Sequence, residues 1–148
     1  MIKFGIPSIG TITDTFPGEA VLTVCAIDKP NAKRKFSLSK TAASQLGVEP
    51  GLSKIGFSFE GGNFIAVIPD SIQGIANNDR LPVNKELNFM SKKAHDYICE
   101  KFRLNNQVDN HLPISSVEEK YEMKIGIFQD IPVVIESILN NEPNRDLL

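Results

Sequence analysis

The chain has no tryptophan and only two tyrosines, two histidines and two cysteines. With so few large aromatic residues, a surface that stacks nucleic-acid bases would have to rest on phenylalanine. Two cysteines allow at most one bridge. Cys25 lies in an apolar strand-like run and Cys99 in a helix-like run. The expectation is two buried free thiols in a reducing compartment; the alternative is a disulfide linking two parts of the chain. No apolar run approaches the length of a membrane-spanning helix, so no contact with a membrane is expected. The start, Met1-Ile2-Lys3-Phe4-Gly5, lacks a continuous apolar signal core and a cleavage site. The expected location is the cytoplasm, or the host cytoplasm if the protein is viral.

A large excess of one charge sign is also missing. The formal net charge is −2 and the pI is near 5.7. That excludes a protein whose whole surface is a nucleic-acid footprint, but leaves room for a local basic patch. Catalytic signatures are missing too. No Gly-x-Ser-x-Gly or other nucleophile motif occurs. Gly61-Gly62-Asn63 lacks the lysine and the following helix of a phosphate loop, and reads as a hairpin turn. His95 and Asp96 are neighbours in sequence, so on a helix their side chains diverge. His95 and Cys99 share a helix face at i, i+4, but a structural zinc site needs four ligands. The chain is therefore read as a non-enzyme with no metal and no cofactor.

What is present is the balance of a soluble globular protein: 148 residues, 41% apolar and 23% charged. That is one ordinary domain or two very small ones. The chain also echoes itself. Phe36-Ser37-Leu38-Ser39-Lys40-Thr41-Ala42 returns as Asn88-Phe89-Met90-Ser91-Lys92-Lys93-Ala94, and Lys54-Ile55-Gly56-Phe57 returns as Lys124-Ile125-Gly126-Ile127. Each of the latter leads into an apolar run, 64–68 and 131–135. Three landmarks in one order twice imply two related halves. The halves imitate a two-fold dimer, an arrangement suited to binding partners.

Residues 1–18 read as an extended arm, 19–69 as the first unit, 70–83 as a linker, 84–139 as a diverged second unit and 140–148 as a loose tail. In the first unit, strands are expected over 19–27 and 33–38, joined by the turn-forming Asp28-Lys29-Pro30-Asn31-Ala32. Ser39 caps a short helix, Lys40 to Leu46, that Gly47 ends. Strands 54–59 and 64–68 follow around the glycine turn. In the second unit a strand over 86–90 leads to a helix capped by Ser91 and running from Lys92 to about Leu104. Its buried face is Ala94, Tyr97, Ile98 and Phe102. A loop over 105–110 and a short extension at 111–114 precede a single alternating strand over 119–127. That strand places Tyr121, Met123, Ile125 and Ile127 on one face. The fold class is mixed α/β, mostly β, built from two β-β-α-β-β-like halves.

Residues 35–51, Lys-Phe-Ser-Leu-Ser-Lys-Thr-Ala-Ala-Ser-Gln-Leu-Gly-Val-Glu-Pro-Gly, then a strand, Glu60-Gly61-Gly62-Asn63 and a closing strand, resemble the AbrB-like, or MazE-like, swapped-hairpin domains. The resemblance covers about residues 20–69 and extends more faintly, through the repeat, to the second half. It implies intertwined dimers that bind DNA as transcription regulators or antitoxins. Here it would be a covalently fused pseudo-dimer, able to assemble further into homo-oligomers. The sequence departs from the pattern at Leu38-Ser39, where the family has Ile-Pro, and at Ala43 and Ser44, where it has a basic residue. It also departs in spacing: Lys40 and Lys54 are 14 positions apart, Lys92 and Lys124 are 32.

The candidate site is the basic run Lys29, Lys33, Arg34, Lys35 and Lys40, the positions that match the family's DNA contacts, with Asn31 as a specificity neighbour. Cations on a hairpin tip neutralise phosphates and release counterions. The same lysines could equally be a solvated guard on an edge strand. Lys92 and Lys93, at the unfavourable end of a helix dipole, read as a freely exposed pair. The expected function is nucleic-acid binding in regulation. The alternative is a non-enzymatic structural or protein-interaction module, such as a viral (phage) assembly component.

Overall fold

The computed structural model describes residues 16–129. Most of the expected arm, the apolar run 131–135 and the tail lie outside them. The described elements are β1 (Val21–Val24), β2 (Lys35–Leu38), α1 (Lys40–Leu46), β3 (Lys54–Ser58), β4 (Phe64–Val67), a 3₁₀ turn (Asn77–Asp79), β5 (Leu81–Pro82), β6 (Asn88–Met90), α2 (Lys92–Lys101), β7 (Asn110–Lys120) and β8 (Met123–Phe128).

Both helices start by the same device. The Ser39 hydroxyl accepts the Ala42 N–H and the Ser91 hydroxyl accepts the Ala94 N–H, each satisfying one orphan donor of the first turn. α1 ends at Gly47, with φ of 73°, and Val48 N–H turns back to the Ala43 carbonyl. α2 stops at Lys101, short of Leu104. Arg103 adopts the left-handed conformation and Leu104 N–H caps the Cys99 carbonyl at 2.9 Å.

Eight strands form one antiparallel sheet in the order β5-β3-β4-β8-β7-β1-β2-β6. Its two ends meet. β5 and β6 are joined by a tight connection in which Asn84 N–H donates to the Asn88 carbonyl, so the sheet nearly closes into a barrel. The interior is one apolar cluster. Leu22, Phe36, Ile55, Ile65, Phe89 and Phe128 come from six strands, Ala42 and Leu46 from α1, and Ile98 from α2.

The order of strands has a simple property. Exchange β1 with β5, β2 with β6, β3 with β7 and β4 with β8. The ladder β3–β5 then becomes β7–β1, β3–β4 becomes β7–β8, and β2–β6 and β4–β8 map onto themselves. The remaining ladder, β1–β2, maps onto the β5–β6 connection.

The structure corrects the sequence reading in several places. The single strand over 119–127 is instead a hairpin: β7 and β8 flank Tyr121 and Glu122, whose φ values of 53° and 62° are those of a type I′ turn. The alternation continues smoothly through the turn, and so hides it. The repeated segments Lys54–Phe57 and Lys124–Ile127 do not fall on strands that this exchange matches. The latter lies on β8, which occupies the place of β4, while β3 corresponds to the long β7. The expected linker 70–83 is anchored and ends in the core. Arg80 donates to the Pro69 and Ile72 carbonyls, and Leu81 and Val83 enter the core. β1 ends earlier than expected, at Val24. Beyond Cys25, the Ala26 N–H turns to the Asp109 carboxylate and the Ile27 N–H to the Asn106 carbonyl.

Candidate nucleic-acid interface

The β1–β2 connection carries the basic run. Pro30 fixes φ, and Ala32 N–H closes a turn on the Lys29 carbonyl at 3.0 Å. Lys29, Asn31 and Lys33 are exposed around this turn, and Lys35 is exposed at the first position of β2, opposite Met90. These four sit together at one end of the barrel. Lys40 does not join them. It opens α1 beyond the far end of β2, about 10 Å further along at the usual rise per residue.

Arg34 turns inward. Its Nη1 donates to the Ala32 carbonyl at 2.9 Å, its Nε stands 3.7 Å from Asp96 Oδ1, and only 23% of its side chain is exposed. Its carbonyl accepts the Ser91 N–H at 3.1 Å, which ties the loop to the start of α2. Lys92 reaches the other Asp96 oxygen at 2.8 Å, and Lys93 reaches Asp79 at 3.2 Å. The expected freely exposed pair is therefore bound to two carboxylates. The Lys92 hydrogen bond, together with the charges of Lys92 and Arg34, outweighs burial and holds the Asp96 carboxyl below its ordinary range.

Below this surface His95 is fully buried. Its Nε2 lies 2.9 Å from the Cys25 carbonyl, which can only accept, so Nε2 carries the proton. Nδ1 is left to accept the Cys99 thiol at 3.7 Å. This pair is a packing link between α2 and β1. Among the described residues, no three His, Cys, Asp or Glu side chains come together to hold a metal. Both cysteines are free. Burial raises both thiols; the Lys35 charge opposes the rise at Cys25, while Asp109 adds to it. At Cys99 the Asp96 charge adds to burial.

Two residues that matter here were not marked by sequence reasoning. Asp96 neutralises part of the basic run, and its i, i+4 spacing from Lys92 was the available signal. Tyr97, expected on the buried face of α2, is 48% exposed. Among the described residues no helix is long and apolar enough to cross a membrane. Comparisons with protein families, with curated proteins and with solved structures found no match.

Proposed function

We propose that the protein binds nucleic acid as a regulator, and that its two halves are AbrB-like, or MazE-like, swapped-hairpin units fused into a pseudo-dimer. One observation carries the binding. Lys29, Lys33 and Lys35 stand exposed together, and among the described residues none of them is in an ion pair, whereas Arg34, Lys92 and Lys93 all are. Cations that the fold does not consume are available to displace counterions from phosphates. Arg34 then shapes the loop instead of touching the ligand. The exchange property of the strand order and the matched caps at Ser39 and Ser91 support the fused-unit reading. Asn31, at the tip of the turn, is placed to contact a base or a sugar.

The test is binding to labelled duplex DNA across a salt series. The triple variant Lys29→Ala/Lys33→Ala/Lys35→Ala should reduce the slope of log K against log salt by about 2.7, roughly 0.9 per lost phosphate contact. An unchanged slope, or no binding by the wild type at low salt, rejects the proposal.

A second reading, a protein-interaction module, rests on the β7–β8 hairpin. β1 pairs with β7 only as far as Pro113, so Ser115–Lys120 offers a ladder edge that no described strand occupies, and Tyr121 at its tip is 77% exposed. Strand addition by a partner would use that edge. Its signature is association that hardly responds to salt.

A further inference from the structure

We infer that the groove between β3 and α2 seats an unpaired nucleobase of single-stranded nucleic acid. This inference rests on the reading above and names the form of ligand. The groove encloses about 530 Å³. Phe57 and Phe59 form one wall, Ile68 and Ile75 another, and Lys93 and Tyr97 of α2 the third. The Tyr97 ring packs on Phe59 at 4.6 Å between centroids, yet remains half exposed.

Two lysines of α2 lie beside and over this aromatic ledge. Lys93, Tyr97 and Lys101 follow one another at intervals of four, so they share one face of α2 and span about 12 Å. The Lys101 ammonium hangs over Phe59 at 5.1 Å and over Tyr97 at 5.8 Å. Asp79, the one carboxylate of the groove lining, is occupied by Lys93. Exposed rings with ammonium groups beside and over them are the chemistry that a base with its flanking phosphates requires. The groove also adjoins the basic loop. Ser91, at its rim, is bonded to Arg34, so a strand lying on Lys33 and Lys35 can continue over Lys93 to Tyr97. Bases in a duplex are stacked on each other and cannot enter.

The absence of tryptophan makes the test direct. In a Tyr121→Phe background Tyr97 is the sole tyrosine of the chain, so all tyrosine emission reports on the groove. A short oligothymidylate should quench that emission. In the wild-type background, Tyr97→Leu should keep the apolar wall and the melting temperature, yet weaken single-strand binding about ten-fold or more. Duplex binding should be unchanged, Tyr97→Phe should restore single-strand affinity, and Lys101→Gln should lower its salt dependence. Binding without quenching, and untouched by Tyr97→Leu, overturns the groove and leaves the basic loop standing. Quenching that survives the triple loop variant sustains the groove and overturns the loop. A wild type that binds no oligothymidylate at low salt overturns the groove. So does self-association lost on Tyr97→Leu without any oligonucleotide binding, which would assign the ledge to a second copy of the chain.

Discussion

Phe36 of β2 and Phe89 of β6 face each other across the ladder that joins the two parts of the chain, with their rings stacked 5.1 Å apart and 14° from parallel. Both are buried, and Phe57 packs against both. Residues 19–69 and 84–129 therefore share one core. Phe89→Ala should cost about 3–5 kcal/mol, the usual loss for a buried phenylalanine. Unfolding by denaturant should remain a single transition. Two separated transitions would show that the parts are independent domains.

The cover over β3 can be tested at Gly56. A Cβ there would stand 2.7 Å from Ile68 Cγ1 and 2.9 Å from its Cδ1. Gly56→Ala should destabilise the protein by about 1–3 kcal/mol through overpacking. Adding Ile68→Ala should recover part of that loss, seen as a non-additive double-mutant cycle. Strict additivity would mean that Ile68 does not cover β3.

Tyr121 and Glu122 hold left-handed backbone without being glycine or asparagine. Each such residue carries about 1–2 kcal/mol of steric cost. Replacing the pair by Asn-Gly should raise the denaturation midpoint, by roughly 1 kcal/mol after the entropy cost of glycine. A fall in stability would contradict the turn.

Asp96 gives a pH signature. Its folded carboxyl is held below the ordinary value, so the unfolded chain binds the proton more tightly. The stabilisation is present in full above the ordinary carboxylate pKa of about 3.9 and is lost as pH falls from there through the lowered folded value. Asp96→Asn should flatten the acid limb of the stability profile. The effect should be modest and should shrink in salt, because the carboxylate is half exposed. An unaltered limb below pH ~4 would show that the Arg34–Asp96–Lys92 link is not formed.

Both thiols are pushed up by burial, so little thiolate exists at neutral pH. Native protein should react slowly with iodoacetamide, Cys25 ahead of the more buried Cys99, and denaturant should release two reactive thiols per chain. Rapid native labelling of Cys99 would show that its contact with His95 does not persist.

Short-range chemistry made much of the first unit legible. A serine before a helix, a glycine after it and two glycines between alternating strands act within a few residues. β2, α1, β3 and β4 accordingly stand close to where the pattern puts them. The same cap at Ser91 made α2 legible. Legibility ended where a choice depended on residues far apart in the chain. Alternation has no way to mark a turn that keeps its phase, so β7 and β8 merged. It also cannot say which strand is a neighbour, so nothing in the sequence put β8 beside β4. The polar cluster of the linker gives no hint that Leu81 and Val83 reach the core.

The site divides in the same way. The sequence by itself determined that cations gather around the Lys29–Lys35 turn, because turn residues and charge are properties of that segment alone. Only the tertiary structure decided that Arg34 would be turned onto Asp96, that Lys40 would stand at the far end of β2, and that Tyr97 would face an open groove. Each of those outcomes depends on which helix face meets which strand. That is settled when eight strands close around one core, and no local pattern carries it.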